Sequence, residues 1–386
     1  MRGLLIPCFI PKTLTSTDAM PLPCINPADY AAQLASKLAQ FKSDFAPYAL
    51  PEPVVHASQP EHYRLRAEFR MWHQDAQVFY AMFDTDEPKR PVVIERFAAV
   101  STTIDTAMPR LRAALEASKA LKDNLFQTNF QSTLSGELMI TLIYHRLLDA
   151  EWEAAAHELA AAMNVQLIGR SRNQAIVIGR DWVLEEFELG GRHLRYQQIE
   201  GAFSQPNGEV NRQMLGWARQ QASGLGGDLL ELYCGNGNFT IALAPLFERV
   251  LATEVSKSSV KAAQYNLEAN GVDNVALARL SSNEISEAIA GTREFIRLQG
   301  IPLQDHRFTT LFVDPPRSGL DEGTLELARG FEHILYISCN PNTLRDNVAA
   351  LYATHAIAAS AVFDQFPYTR HLESGLLLTR RAQVES

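Results

Sequence analysis

Residues 62–72, HYRLRAEFRMW, alternate strictly between apolar and charged positions. Leu65, Ala67, Phe69 and Met71 fall on one face of an extended chain, and Arg64, Arg66, Glu68 and Arg70 fall on the other. Successive side chains of a strand point to opposite sides, so this run predicts a half-buried strand. Three arginines on one face suit phosphate contacts, although a solvated face is the usual fate of such positions. Further strands are predicted at QVFYAMF (77–83), ELMITLIYH (137–145), VQLIGR (165–170) and QAIVIGR (174–180). Helical spacing predicts helices over 27–48, 104–120 and 150–163, the first with Asn26 as cap and Pro27 in its first turn. Residues 25–202 therefore read as a mixed α+β domain.

After about Phe203 the pattern changes. Apolar runs at 228–233, 249–255, 275–280, 309–316, 333–339, 358–366 and 374–380 alternate with helical stretches such as 256–270 and 320–329. That alternation predicts a doubly wound, mostly parallel α/β sheet over 203–386, with ligands bound at the carboxyl ends of its strands. Residues 1–24 read as a disordered extension, because Pro7 and Pro11 break their apolar stretch and no small-residue cleavage site follows. Met1 and Met20 are alternative starts.

The chain has 386 residues, 46% of them hydrophobic, enough for two cored domains. A net charge of −9 excludes a non-specific nucleic-acid coat but leaves room for a local basic face. The cysteines Cys8, Cys24, Cys234 and Cys339 form no C-x-x-C pair. No disulfide framework, metal site or iron–sulfur cluster can be read from them, and a reducing cytoplasm is expected. No apolar run approaches the ~20 residues of a membrane span. No exposed heptad pattern points to assembly, so a monomer is expected.

Chemistry enters at the strand tips. LLELYCGNGNFTIALA (229–244) reads as strand, glycine turn and helix, with Gly235 and Gly237 allowing a close backbone approach to a ligand. It lacks the full G-x-G-x-x-G, and Phe239 occupies space that a dinucleotide would need. Glu254 ends the second strand, where its carboxylate can accept from ribose hydroxyls or cap the next helix. Glycine turn and acid together favour a nucleoside cofactor, the pairing that class I S-adenosylmethionine methyltransferases show. Asp314 ends a later strand at FVDPPRSG, and the prolines after it hold the backbone extended.

Cys339 ends the next strand, and Asn340 and Pro341 suit the cap and first turn of a helix. A helix N-terminus is expected to lower the pKa of this thiol and favour it as a nucleophile over a buried structural cysteine. The last strand of such a sheet runs antiparallel, so Glu373 at its start returns to the same edge. A carboxylate there is expected to have a raised pKa and to act as a base. A thiolate, a base and a methyl donor suit C5 of a pyrimidine. Addition of the thiolate at C6 makes C5 nucleophilic, and the base removes the C5 proton after methylation. Amino-group methyltransferases typically place an aromatic after D-P-P, where Arg317 stands. Cytosine-C5 enzymes carry a cysteine around the D-P-P motif, and zinc deaminases need H-x-E with P-C-x-x-C. Both signatures are absent here, which leaves uracil.

The motifs FSQPN (203–207), ELYCGNGNF (231–239), DPPRSG (314–319), SCNP (338–341) and HLESG (371–375) resemble the RNA uracil-5-methyltransferase family. HYRLRAEFRMWH (62–73) and FDQFPYT (363–369) resemble its bacterial tRNA branch more specifically, which modifies the T-loop uridine, U54. The resemblance implies a class I methyltransferase domain (203–386) joined to an RNA-recognition domain (25–202). It implies S-adenosylmethionine held by Gln205, Tyr233, Gly235, Asn238, Glu254 and Asp314, with Cys339 as nucleophile and Glu373 as base. It places Arg70, Phe126, Gln127 and Arg317 against RNA, although Phe126 reads equally as a core residue. The implied substrate is the tRNA T-arm, which is recognised by shape and splayed bases and whose target uridine is flipped out. The equivalent loop of transfer-messenger RNA is a second candidate. Relatives acting on ribosomal RNA usually carry an RNA-binding barrel and four iron–sulfur cysteines, and neither is visible here. A catalytically silent binding module would be expected to lack Cys339 or Glu373.

Overall fold

The computed structural model describes residues 25–75, 77–83 and 91–382. The expected N-terminal extension, with Cys8, Cys24 and both candidate starts, lies outside the described residues. In chain order the strands are β1 (Val54–His56), β2 (Arg66–Gln74), β3 (Gln77–Phe83), β4 (Pro91–Ile94), β5 (Leu125–Ser132), β6 (Leu138–Tyr144), β7 (Gln166–Ser171), β8 (Gln174–Ile178), β9 (Trp182–Leu189), β10 (Arg192–Ile199), β11 (Asp228–Leu232), β12 (Val250–Thr253), β13 (Val275–Ala278), β14 (Phe308–Val313), β15 (His333–Ser338), β16 (His355–Phe363) and β17 (Glu373–Arg380). The α-helices are α1 (Tyr30–Asp44), α2 (Thr102–Ala117), α3 (Lys119–Lys122), α4 (Ala150–Met163), α5 (Gly208–Ala222), α6 (Asn238–Leu243), α7 (Lys257–Ala269), α8 (Ser282–Ile289), α9 (Glu322–Arg329) and α10 (Pro341–Leu351).

The chain divides into two compact units. The first holds the described residues up to Gln33, then Gln59–Val183 and Pro367–Arg370; the second holds Leu34–Ser58, Leu184–Phe366 and the described residues from His371. The boundary expected at 202/203 is therefore displaced. Residues 54–56 add a parallel edge strand beside β16. The amides of Asn266 on α7 and of Asn270, which caps its C-terminal end, bond the backbone of β10 at Gln197 and Arg195. These contacts draw both segments into the second unit.

The first unit is built on a seven-stranded sheet in the order β4-β3-β2-β5-β6-β7-β8. Its pairs are antiparallel except β6–β7, which α4 joins as a parallel crossover. The alternation of β2 is realised from Arg66: Ala67, Phe69 and Met71 are buried, and Glu68, Arg70 and Trp72 are exposed. The buried face meets α2 and α4 in a core containing Met108, Leu111 and Trp152. Residues 62–65, expected as strand, are irregular, and His62 adopts φ +56°. Arg64 turns its Nε onto the carbonyl of Arg66 at 2.7 Å.

The second unit holds an eight-stranded sheet in the order β1-β16-β17-β15-β14-β11-β12-β13. All pairs are parallel except those of β17, which runs antiparallel between β15 and β16. The seven strands β11 to β17 have the order and the reversed last strand expected of an α/β methyltransferase sheet. The eighth, β1, is only three residues long, with Val54 and Val55 about half exposed, and leaves no readable periodicity. Leu230, Leu311, Ile334, Tyr336 and Leu376 lie in one continuous core of this sheet. Parallel strands covered on both faces bury nearly every residue, and so they read as unbroken apolar runs.

Candidate active site

The carboxyl ends of β11, β12, β14 and β15 and the start of β17 open on one cavity of the second unit, about 500 Å³ in volume. Gln205, Tyr233, Gly235, Asn238, Glu254, Asp314, Arg317, Cys339 and Glu373 all line it. Phe203, an exposed aromatic at the start of the FSQPN motif, lines it as well.

The β11 tip is held in an unusual backbone. Tyr233 has φ +61°, a conformation costly for a side chain that is not glycine, and Gly235 and Gly237 follow at +56° and +83°. This turn bends the chain into α6 and leaves the backbone open toward the cavity. Glu254 staples it: one carboxylate oxygen accepts from the Gly235 N–H at 3.0 Å and the other from the Ser256 N–H at 2.7 Å. Ser256 is itself the cap of α7, so Glu254 braces the cap residue rather than capping the helix, and it lies on the cavity wall. Asn238 exchanges reciprocal amide bonds of 2.9 and 3.1 Å with Asn211 of α5. The Tyr196 hydroxyl donates to the Asn238 carbonyl at 3.1 Å. Phe239 is buried against Phe312, so the space a dinucleotide would need is filled.

Glu231 is the residue that sequence reasoning missed. It sits within an apolar strand, is 1% exposed, and its Oε2 has no hydrogen-bond partner. The sign that could have found it is a carboxylate in a run that otherwise reads as fully buried. Burial pushes its carboxyl up to about 8, with Asp314 adding to the shift and Thr240 opposing it. Burial likewise pushes Asp314 up to about 7. Buried acidic groups with room beside them are a donor set that a positively charged ligand would complete.

Cys339 follows β15 directly, Asn340 caps α10 through its side chain, and Pro341 occupies the first turn. Asn340 Nδ2 and Thr343 Oγ1 donate to the Arg317 carbonyl at 3.0 and 3.3 Å, which ties the loop after Asp314 to this helix start. Ser338 pairs with Ser374 and Phe363 pairs with Glu373, so Cys339 and Glu373 are the next facing positions beyond the β15–β17 ladder. Glu373 is 4% exposed, and burial followed by Asp314 raises its pKa well above the carboxylate range. The expected depression of the Cys339 thiol is not found. Burial, then Glu373 and Asp314, push it up to about 11, against the opposing charge of Arg317. The helix terminus is outweighed first by burial of the thiol and then by the two acids that share its cavity.

Arg70, Phe126 and Gln127 lie elsewhere, together on the sheet of the first unit. Arg70 pairs with Gln127 across β2 and β5. A register shift between Leu125 and Gln127 makes Phe126 a bulge residue and turns it out of the core. Its ring stacks on His145 at 4.1 Å between centroids and carries the Arg70 guanidinium 3.9 Å above it. The core reading of Phe126 is therefore replaced by a half-buried stack. Among the described residues, no group of three or more His, Cys, Asp or Glu could hold a metal ion, and no helix is long and apolar enough to cross a membrane.

Residues 29–381 match the family model described as tRNA (Uracil-5-)-methyltransferase. The chain belongs to this family. The tRNA/tmRNA (uracil-C(5))-methyltransferase of Aromatoleum aromaticum is 69% identical over 362 residues, which cover 94% of this chain and 98% of that protein. The protein of the same name from Dechloromonas aromatica is 65% identical over 362 residues, 94% of this chain and 100% of its own. The solved structure of Pyrococcus abyssi tRNA (uracil-54, C5)-methyltransferase in complex with S-adenosyl-L-homocysteine superposes with a TM-score of 0.69 at 20% identity, covering 91% of this chain and 83% of that one. At that identity the likeness concerns the fold, and the second unit has the S-adenosylmethionine methyltransferase fold.

Proposed function

We propose that this tRNA (uracil-5-)-methyltransferase family member methylates C5 of the T-loop uridine of tRNA, U54, and of the equivalent uridine in tmRNA, through a covalent Cys339 adduct. The observation that carries the reading is the convergence of Cys339, Glu373 and four strand-tip residues on one cavity. The cavity fits S-adenosylmethionine, because the orphaned Glu231 Oε2 and the Asp314 carboxyl are buried acidic groups whose ionised forms a cation would stabilise. Gln205, Tyr233, Gly235, Asn238, Glu254 and Asp314 hold it, with Glu231 beside them. When bound, it supplies the methyl group to C5.

The chain's own groups do the rest. The Cys339 sulfur adds to C6 and turns the C5–C6 double bond into an enolate. A thiol at about 11 is mostly protonated at neutral pH, so its proton must leave as the substrate arrives. That proton goes to solvent and not to Glu373, which must itself be ionised, against the burial that raises its pKa, to serve as the base at C5. After methylation Glu373 removes the C5 proton, the C5–H electron pair rebuilds the double bond, and the C6–S bond breaks. Arg70, Phe126 and Gln127 contact RNA from the first unit's sheet, the Phe126 ring offering a stacking face and Arg70 a cation. Arg317 contacts the RNA from the cavity side. In this reading the enzyme works as a monomer in the cytoplasm.

The test uses unmodified tRNA transcript and labelled S-adenosylmethionine, with products run on a denaturing gel. Wild type is expected to form 5-methyluridine in the T-loop. Cys339→Ala is expected to give neither product nor adduct, and Glu373→Gln to accumulate a denaturant-resistant protein–RNA band. Wild-type turnover by Cys339→Ala would overturn the covalent route, and activity on ribosomal RNA alone would overturn the substrate.

A further inference from the structure

The nine residues Asp364–Leu372 connect β16 to β17 and lead into Glu373. Their first three are anchored by elements distant in sequence. Lys37, from α1, donates to Asp364 Oδ1 at 2.6 Å and to the Phe366 carbonyl at 2.9 Å. Its side chain is 8% exposed and that of Asp364 is fully buried. The Asp364 N–H donates to the His56 carbonyl at 3.0 Å. Gln365 Oε1 accepts from the Asn207 N–H at 3.0 Å, and Asn207 is the cap of α5 two residues after Gln205. Asp364 directly follows Phe363, which is the cross-strand partner of Glu373.

A buried lysine–aspartate pair is a poor way to gain stability. Desolvating both charges offsets most of their attraction, and apolar side chains of similar volume usually do as well. The pair provides direction instead. One ammonium bonds a carboxylate and a carbonyl two residues apart, which fixes the backbone where the chain leaves β16. Because Phe363 and Glu373 face each other across the ladder, fixing one side of the connection fixes the other. We infer that Lys37 is a positioning residue for Glu373, holding the base over the reaction cavity through Asp364 and the Phe366 carbonyl. The inference rests on the role proposed for Glu373. A segment that the sequence assigns to a separate domain thereby completes the reaction site. The step it serves is loss of the C5 proton with expulsion of the Cys339 thiolate; addition of the thiolate to C6 does not require it.

The experiment compares wild type with Lys37→Met, Lys37→Arg and the double variant Lys37→Met/Asp364→Asn, which leaves no unpaired buried charge. The substrate is a T-arm RNA tritiated at C5 of the target uridine. Tritium release reports proton removal, and a denaturing gel reports the covalent adduct. A displaced base slows its own step by about 10- to 100-fold. In both Met variants tritium release per cofactor-binding site is expected to slow by that factor while the adduct accumulates, and Lys37→Arg is expected to restore part of the rate. Wild-type release rates in a double variant that binds cofactor normally would overturn the inference. So would an equal loss of adduct formation and tritium release per binding site, because that is the mark of a merely structural pair. If wild type itself forms no adduct and releases no tritium, the proposed function fails and this inference falls with it.

Discussion

Glu231 and Asp314 set the pH response of the cavity. Both carboxyls are raised by burial, to about 8 and about 7, so each favours its neutral form in the folded protein. Between the ordinary carboxylate pKa and these values the folded state binds more protons than the unfolded one. Their contribution to the stability of the free protein therefore falls as pH rises through this window, and it is full only below it. A cationic cofactor reverses the preference, because it stabilises the ionised acids and binding below pH 8 must expel protons. Stabilisation by S-adenosylmethionine is expected to grow as pH rises from about 6 to about 9, by up to about tenfold in affinity per pH unit for each proton expelled. Thermal shifts at a series of pH values check this, and Glu231→Gln is expected to flatten the profile. At the same scale, Phe126→Leu removes the ring between Arg70 and His145. It is expected to weaken T-arm binding by about 5- to 100-fold, the value of one stacked base, and to leave cofactor affinity unchanged in a titration.

Strand β17 carries Glu373 at its first position and Gly375 two residues on. A methyl group at Gly375 would lie 2.6 Å from Cζ3 and 2.9 Å from Cη2 of Trp217 on α5. The indole is 3% exposed and has no room to swing away. Gly375→Ala is expected to cost about 1–3 kcal/mol in chemical denaturation, the usual penalty of overpacking a core. It is also expected to lower turnover, because relief of the clash shifts the strand that presents the base. The β5 strand teaches a different lesson. Its sequence LFQTNFQS mixes polar and apolar residues without clean alternation. Thr128, Gln131 and Ser132 are nevertheless buried, and the Ser132 hydroxyl is satisfied by Ser101 at 2.8 Å. Whether such a buried group is met, as the Ser132 hydroxyl is, or left unpaired, as the Thr128 hydroxyl is, depends on other elements, so the strand carries no local signature. The helix expected over 104–120 is likewise broken in two at Ser118, whose side chain caps α3.

At the scale of the molecule, an acidic chain with net charge −9 is proposed to bind a polyanion. Its affinity must then come from a few placed contacts rather than from a broad positive field. Raising salt from about 50 to about 200 mM is expected to weaken T-arm binding by less than the ~10³-fold seen when six or more phosphates are neutralised. A filter-binding salt series measures that slope. Hydrogen exchange separates the two units. Cofactor alone is expected to protect the strand tips at Glu231–Phe239, Thr253–Ser256 and Asp314–Arg317. It is expected to leave the β2–β5 pair unchanged, and T-arm RNA is expected to protect that pair.

What the sequence determined by itself was local. Unbroken apolar runs announced the parallel strands of the second unit, and strict alternation announced β2. Glycine, aspartate, cysteine and glutamate at the strand tips marked the cavity, since a doubly wound sheet brings such tips to one edge wherever they fall in the chain. What only the tertiary structure decided concerned environments and distant partners. The thiol of Cys339 rises because it is buried, and then because Glu373 and Asp314 share its cavity, which the local helix start could not reveal. Phe126 leaves the core because a bulge turns it. Lys37 reads as an ordinary charge on a helix until Asp364, more than three hundred residues away, is seen buried against it. Periodicity is written in neighbouring residues, whereas burial and charge pairing depend on which remote groups the fold brings together.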